Sequence, residues 1–240
     1  MYKVETTHSH IRTQALPKAD INLIIMDVSS DDSVNTAAKS LADVNLYAIV
    51  NNAGVGLGSK ASVDQLIQTN LFGPKRVTDA FVSNLDPKQG RVVNVSSGVA
   101  AMWLRDKSDE MKKMFTNPDT TWDQLKTTVL KLAPTSSRGG YGISKAALNC
   151  LTLQQAKKWP SLKITSLTPG FIQTKMTKGF GAKLTPEQGT VSMRKCLFGN
   201  VTSGYYYGSD GLRSPLTVTR DPGMPEYQGE KNPDPKKYNR

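Results

Sequence analysis

Short, continuous apolar runs recur along the chain, and they limit the fold more than any other feature of the sequence. They occupy residues 22–26, residues 46–50, Arg91–Val95 and Lys163–Leu167, with a weaker one at residues 205–207. Runs of this length without polar alternation are typical of strands that are buried on both faces of a parallel sheet. Helical segments lie between them. The sequence therefore predicts an α/β fold, a doubly wound parallel sheet with helices on both faces.

The connecting helices are indicated by periodicity and by their end signals. Ser30 is followed by two acidic residues, which suits the first turn of a helix. Gly73 and Pro74 are expected to disturb a long second helix, because proline lacks the backbone N–H. The predicted helices cover residues 30–41, 62–85 and 141–159, and a further one begins at Pro186.

The length and composition favour one main domain. The chain has 240 residues, of which 38% are hydrophobic, and this is enough for a single sizeable core. We predict the domain for residues 22–214, with a polar, partly helical insertion at about 103–138. Residues 1–21 form an atypical polar segment, and residues 215–240 are rich in proline, glycine and charge, which predicts a surface tail.

The charge balance raises the question of nucleic acid and membrane partners. The formal net charge is +11, but the basic residues form pairs rather than a dense block. We therefore expect no nucleic-acid function, and a basic surface also suits an anionic cofactor. No apolar run is long enough to span a bilayer, and the first residues lack a signal pattern. We expect a cytoplasmic protein without a membrane partner.

The scarcity of histidine and cysteine excludes several kinds of site. The histidines are His8 and His10, and the cysteines are Cys150 and Cys196. A Ser-His-Asp hydrolase would have to use one of those two histidines, and a site of three or four thiolates is excluded within one chain. We predict no metal site, and we expect the cysteines to be packed thiols rather than a disulfide.

One tyrosine and one lysine are spaced for proton transfer. Tyr141 and Lys145 are four residues apart on a predicted helix, so their side chains share a face. A nearby cation favours the phenolate, so the pair is suited to proton donation to a developing alkoxide. Tyr227 and Lys231 have the same spacing, but they lie among prolines and glycines in the predicted tail.

Polar turns around this pair complete a recognisable order of motifs. The motifs are Asn51-Asn-Ala-Gly54 after one strand, Thr69-Asn-Leu-Phe-Gly73 in a helix, Val92-Val-Asn-Val-Ser-Ser-Gly98 after the next strand, Tyr141-Gly-Ile-Ser-Lys145, and Thr168-Pro-Gly170 with Thr174. In this order and context the chain resembles the short-chain dehydrogenase/reductase family, over about residues 22–211. The resemblance implies a Rossmann-like sheet with its ligand beyond the carboxyl ends of the strands. Within the family the chain most resembles the NADPH-dependent carbonyl reductases, in the strand that precedes Ser97 and in the long insertion that follows it.

The resemblance implies a role for each matching catalytic position. Tyr141 would be the general acid, and Lys145 would lower the tyrosine pKa and bind the nicotinamide ribose. Ser97 would donate to the substrate carbonyl oxygen, and Asn70 would hold a water of the proton relay. The insertion and the segment after Gly170 would form the substrate pocket. The insertion also implies a monomer.

The cofactor positions follow from the same resemblance. Asn51, Ala53 and Gly54 would line the cofactor through their backbone, and Asp27, with Val28 beside it, would contact the adenine. The carboxamide end of the nicotinamide would be held by Pro169, Gly170, Ile172 and Thr174. Four of these roles have structural alternatives: Asn51 could cap a turn, Asn70 could bond the backbone, Asp27 could end a strand, and Thr174 could cap a helix. NADP is expected rather than NAD, on the carbonyl-reductase resemblance alone.

The sequence departs from the family at the phosphate-binding loop. The family begins with a strand, a Gly-x-x-x-Gly-x-Gly turn and a helix, whereas the first glycine here is Gly54. Residues 54–58 contain three glycines but lack an acid about twenty residues on, so they are interpreted as part of the Asn-Asn-Ala-Gly turn. We therefore expect an N-terminally truncated sheet.

Two functions stay open at this point. The first is a reductase that transfers hydride from NAD(P)H to a small ketone, aldehyde or quinone. The alternative is a catalytically silent or truncated homologue that acts as a binding module or has no function.

Overall fold

A computed structural model describes residues 21–56 and 59–239, and the predictions for the polar segment before Ile21 and for positions 57–58 lie outside these residues. The described part contains a four-stranded sheet in the order β1-β2-β3-β4, and each neighbouring pair is parallel. The strands are β1 (Ala48–Asn51), β2 (Arg91–Val95), β3 (Lys163–Leu167) and β4 (Tyr206–Tyr207). The predicted α/β class with an open parallel sheet is confirmed.

Helices connect these strands and extend beyond them. They are α1 (Asp31–Ser40), α2 (Val63–Ile67), α3 (Gly73–Phe81), α4 (Val99–Arg105), α5 (Asp109–Phe115), α6 (Trp122–Leu132), α7 (Tyr141–Lys158), α8 (Val191–Phe198) and α9 (Pro235–Tyr238). Among the described residues, no helix combines the length and the apolar character that crossing a membrane requires.

The helix ends follow the local sequence. The Ser30 hydroxyl accepts a hydrogen bond from the N–H of Ser33 and caps α1, whose first turn carries Asp31 and Asp32. A π-helical turn, Gln68–Phe72, separates α2 from α3. Pro74 lies in the first turn of α3, directly after this π-helical turn, where it lacks the N–H that would continue the helical hydrogen bonds. The predicted disturbance near Gly73 and Pro74 is confirmed.

Two predicted elements are absent from their predicted places. Residues 22–26 form no strand, and Ile25 is 79% exposed there, because no described strand pairs with this segment. The helix predicted to begin at Pro186 begins later. A 3₁₀ turn, Gln188–Thr190, follows Pro186, and α8 then starts at Val191.

A row of buried polar side chains crosses the sheet on one face. Asn51, Asn94, Ser166 and Tyr206 are paired across successive strands, and each is less than a tenth exposed. The Asn94 amide N–H groups donate to side-chain oxygens of α7, at 2.9 Å each. Because buried polar groups need partners, this row fixes α7 against the sheet.

The opposite face and the insertion complete the core. Val93, Leu167 and Tyr207 pack with Cys196 of α8 on the other face of the sheet. The insertion forms the end of α4 together with α5 and α6, and its buried side chains pack against α7. Helix α7 is buried on several sides. Its buried residues are therefore distributed around the helix and do not form a single apolar stripe.

The two cysteines are buried free thiols. Burial raises the pKa of Cys150 to about 12 and the pKa of Cys196 to about 11. The prediction of packed thiols rather than a disulfide is confirmed.

Parts of the C-terminal segment pack firmly on the domain. Tyr238 is fully buried, and the Arg220 side chain is 0% exposed. Arg220 forms a bidentate ion pair with Asp210 at 2.9 and 2.8 Å and donates to the carbonyls of Met224 and Pro225. The predicted bounds of the domain and tail stay a prediction, but residues 215–240 include buried anchors as well as surface.

Candidate active site

A cavity of about 540 Å³ lies beyond the carboxyl ends of β1, β2 and β3. This volume is in the range of small-molecule sites. Nine residues that the sequence singled out line it together: Ala53, Gly54, Ser97, Tyr141, Lys145, Pro169, Gly170, Ile172 and Thr174. Nine others also line it: Asn52, Val55, Val95, Ser96, Val99, Phe171, Lys175, Met176 and Thr177.

Three elements position the reactive side chains. Ser97 follows the end of β2, and Tyr141 is the first residue of α7. Gly140, with φ of 81°, turns the chain into the helix in a conformation that favours glycine. Lys145 follows one turn later on the same helix face, so Ser97, Tyr141 and Lys145 line one cavity.

Lys145 is a buried cation without a carboxylate partner among the described residues. It is 6% exposed, and its Nζ donates to the carbonyl of Val95 at 2.8 Å. Burial disfavours the charged form and lowers the pKa of Lys145 to about 8. An ammonium has three donors, so Lys145 can donate further hydrogen bonds to a ligand in the cavity.

Tyr141 lies close to this cation, but burial dominates its ionisation. The Lys145 Nζ is 5.8 Å from the centre of the Tyr141 ring. Burial raises the pKa of the Tyr141 phenol, and the Ser97 hydroxyl offsets this only in part. Burial is the larger influence on this pKa, and the expectation that Lys145 lowers it stays a prediction. Tyr141 is therefore a protonated phenol, as a proton donor has to be.

Replacing Lys145 with methionine is expected to change how stability depends on pH. The folded-state pKa of about 8 lies below the unfolded value of about 10.4, so the unfolded chain binds more protons between these values. In the parent, Lys145 should therefore make the free energy of unfolding rise between pH 8 and pH 10.4, by up to about 1.4 kcal/mol per pH unit. The Lys145→Met variant should lack this rise. Urea unfolding of both proteins across this range checks it, and identical pH profiles would contradict it.

Asn70 lies behind the cavity rather than on its wall. Its Oδ1 accepts from the N–H of Val55 at 2.9 Å, and its Nδ2 donates to the carbonyl of Val55 at 2.8 Å. Asn70 is fully buried within the π-helical turn. The side chain thus holds the loop that carries Gly54 and Val55, which matches the structural alternative for this residue. A role in a water relay stays a prediction.

Asn70→Ala is expected to destabilise the protein by about 1–3 kcal/mol, because the N–H and carbonyl of Val55 lose their partner. Denaturant unfolding measures this loss. Asn117→Ala is the matched control, since among the described residues the Asn117 side chain accepts from one exposed N–H, that of Asp119. A loss at Asn70 no larger than that at Asn117 would contradict the assignment.

Three predicted cofactor residues do not line the cavity. The Asp27 carboxylate accepts from the N–H and the hydroxyl of Ser29, and these bonds lower its pKa. Val28 packs against Gly73. The Asn51 amide donates to Asn94 Oδ1 at 2.8 Å and belongs to the polar row across the sheet. The neighbouring Asn52 lines the cavity instead.

The segment after β3 forms the opposite wall. Gly170 has φ of 85°, and a Cβ there would lie 2.6 Å from Leu184 and 3.0 Å from Ser209. Ile172 forms a bridge with Leu184, and Thr174 precedes a 3₁₀ turn, Lys175–Thr177, as its N-cap. Thr174 therefore both caps a turn and faces the cavity.

The sequence did not single out the apolar residues over the cavity. Phe171 and Met176 are 43% and 41% exposed, and a Cβ at Gly56 would lie 2.7 Å from the sulfur of Met176. They follow Gly170 in the segment expected to form the pocket, but nothing in their spacing marks individual positions. The insertion was expected to form part of the pocket, but none of its described residues lines this cavity. Its apolar side chains pack against α7 instead.

Comparisons with known proteins find relatives among dehydrogenases and reductases. A family model described as short chain dehydrogenase matches residues 2–106. (+)-Neomenthol dehydrogenase of Arabidopsis thaliana is 31% identical over 206 residues, covering 70% of this chain and 69% of that protein. Carbonyl reductase [NADPH] 1 of Macaca fascicularis is 26% identical over 188 residues, covering 68% and 67%. The human carbonyl reductase is matched over only 59% of its length.

Solved structures show the same fold. The NADPH-bound carbonyl reductase from chicken fatty liver superposes with a TM-score of 0.62 at 20% identity, covering 88% of this chain and 80% of that one. Salutaridine reductase from Papaver somniferum gives a TM-score of 0.64 at 22% identity, covering 76% and 80%. The sheet, the cavity at its carboxyl edge and the identity to neomenthol dehydrogenase lead to one conclusion: the chain belongs to the short-chain dehydrogenase/reductase family.

Proposed function

We propose that the protein is an NADPH-dependent reductase of small carbonyl compounds, with Tyr141 as the general acid. One observation carries the proposal: Ser97, Tyr141 and Lys145 line a single cavity at the carboxyl edge of the sheet. A reductase has to protonate the oxygen that becomes an alcohol, and a phenol beside a hydroxyl donor suits that step.

The residues around the cavity fit the nicotinamide end of the cofactor. Lys145 is a buried ammonium with donors left for ribose hydroxyls. Gly170 leaves no room for a side chain where the opposite wall comes close to Leu184 and Ser209. Pro169, Ile172 and Thr174 would face the carboxamide from that wall. When bound, the cofactor supplies the hydride.

Each side chain has a task that its surroundings support. Ser97 would donate a hydrogen bond to the substrate oxygen and orient the carbonyl towards Tyr141. Tyr141, whose pKa is raised by burial, stays protonated and gives its proton to that oxygen. Lys145, partly charged near its pKa of about 8, would stabilise the phenolate that remains.

The preference for NADPH and for carbonyl substrates rests on the relatives. Carbonyl reductase [NADPH] 1 is the name of several proteins that match this chain at 25–28% identity. The apolar Phe171, Val99 and Met176 beside the reactive groups favour a substrate with an apolar body. The class proposed is therefore a small ketone, aldehyde or quinone.

A deuterium-transfer assay tests the function directly. The purified chain is incubated with NADPH deuterated at the transferable position and with one ketone, one aldehyde and one quinone. We expect deuterium on the carbon that bears the new hydroxyl in the ketone or aldehyde product, or hydroquinone formation with consumption of NADPH. A folded chain that binds NADPH but reduces none of the three would favour the catalytically silent alternative.

A further inference from the structure

A second cavity of about 340 Å³ lies beside β4, between the chain that enters this strand and the C-terminal segment. We call it the C-terminal cavity. It is lined, among others, by Leu153, Tyr205, Arg213, Leu216, Tyr227 and Lys231. It shares no lining residue with the candidate active site, so the two cavities are separate among the described residues.

Two aromatic rings pack against the guanidinium of Arg213 in this cavity. The centre of its guanidinium is 3.7 Å from the centre of the Tyr205 ring and 4.7 Å from that of Tyr227. Cation–π contact uses the flat face of the guanidinium, so the N–H donors on its edge are left for other partners. Such an edge is preorganised for a planar oxyanion, because little side-chain freedom has to be lost on binding.

The guanidinium of Arg213 has no carboxylate partner among the described residues. Within the described residues, its side chain has no hydrogen bond and no ion pair, and Glu226 accepts from the backbone N–H of Arg213 instead. Glu230 is engaged by Lys237 and Tyr238, and its pKa is about 2. The cavity wall carries two cations, Arg213 and Lys231, and no carboxylate.

We infer that the C-terminal cavity binds a small organic oxyanion, a carboxylate or a phosphate monoester, with a short apolar body. The guanidinium edge of Arg213 would form the bidentate contact, and Lys231 would add a second positive charge. Leu153 and Leu216 supply the apolar surface for the body of the ligand. The inference is independent of the proposed reductase activity, because no group of the active site takes part.

Three small aromatic probes test the site in the full chain. Benzoate and phenyl phosphate carry the two oxyanions, and benzamide is a neutral analogue of the same size. Binding is followed by the Nε–Hε signals of the arginines in NMR spectra at constant ionic strength. We expect saturable shifts of the Arg213 signal with benzoate, phenyl phosphate or both, and none with benzamide. The tighter of the two anions identifies the preferred group.

Variants separate the cavity from general charge attraction. Arg213→Gln should weaken binding by at least about tenfold, as expected for loss of a hydrogen-bonded charged contact. Because Arg213 also supports two tyrosines, Lys231→Gln provides a second test at an exposed position. Lys236→Gln is its matched control, with the same change in net charge outside the cavity. In Lys231→Gln and Lys236→Gln, binding is measured from the NMR resonances of benzoate itself.

The outcomes are decisive in both directions. Weaker binding in Lys231→Gln with unchanged binding in Lys236→Gln supports the site. Equal binding of benzamide, equal loss in both lysine variants, or the absence of saturation with either anion would overturn it.

Discussion

Tyr141→Phe is expected to reduce hydride transfer by at least about a hundredfold, because positioned general acids contribute roughly 10²–10⁴ to the rate. The substitution removes one oxygen and keeps the ring, which packs with the core around α7. Among the described residues this hydroxyl interacts with the Ser97 side chain at the cavity, and this contact does not hold the core together, so the melting temperature should stay close to that of the parent. Rates with and without the hydroxyl are compared at saturating NADPH.

A second tyrosine provides the control for this change. The Tyr47 hydroxyl donates to the carbonyl of Leu197, away from the cavity. Tyr47→Phe should therefore keep the parental rate, while its stability falls slightly. A Tyr141→Phe protein with near-parental turnover would show that another group donates the proton.

Arg220→Met is expected to lower the free energy of unfolding by about 3–5 kcal/mol, the usual cost of leaving a buried charge without its partner. The Arg220 side chain is 0% exposed and holds both oxygens of Asp210. Its loss also frees the carbonyls of Met224 and Pro225, which join the C-terminal segment to the domain. Denaturant unfolding by circular dichroism measures the change.

An exposed ion pair gives the matched comparison. Arg105 and Asp106 are paired at 3.0 Å, but their side chains are 48% and 67% exposed. Arg105→Met should cost far less stability than Arg220→Met, because water screens such a pair. Similar losses in the two variants would show that Arg220 does not anchor the segment.

The pair of Arg220 and Asp210 also predicts that stability depends on pH in the acid range. Burial alone would raise the pKa of Asp210, but hydrogen bonds from Arg220, Gly223 and Leu212 outweigh it and hold the pKa below its ordinary value. A carboxyl whose pKa is lower in the folded state stabilises the fold at pH values above its unfolded-state pKa of about 3.9. This stabilisation is lost as the pH falls through the folded-state pKa. The parent should therefore lose more stability below about pH 4 than Arg220→Met does.

Local sequence was sufficient for the elements with strong patterns. The strands Arg91–Val95 and Lys163–Leu167 coincide with their apolar runs, because both are buried between helices. Ser97, Tyr141 and Lys145, which the sequence singled out, line the same cavity. They meet there because the strand ends and the start of a helix lie at the same edge of a parallel sheet.

Tertiary context decided what the sequence could not. Residues 22–26 have a strand-like composition, but β-structure requires a neighbour, and no described strand pairs with them. Asn51 and Asn52 are adjacent amides in one motif. Asn51 ends β1 and joins the polar row, whereas Asn52 follows the strand and lines the cavity, because successive side chains of an extended chain point to opposite sides. Arg220 lies in a segment rich in proline and glycine, and its burial depends on a carboxylate ten residues earlier.

Titration with NADPH and NADH tests the central claim most directly, with thermal unfolding and cofactor fluorescence followed together for the parent and for Lys145→Met. A ligand that binds only the folded state adds about 2.7 kcal/mol of stability at a hundredfold excess over its dissociation constant. We predict such a gain with NADPH, a smaller one with NADH, and weaker binding of both by Lys145→Met. A parent chain that unfolds cooperatively at the same temperature with and without either cofactor would contradict the proposal.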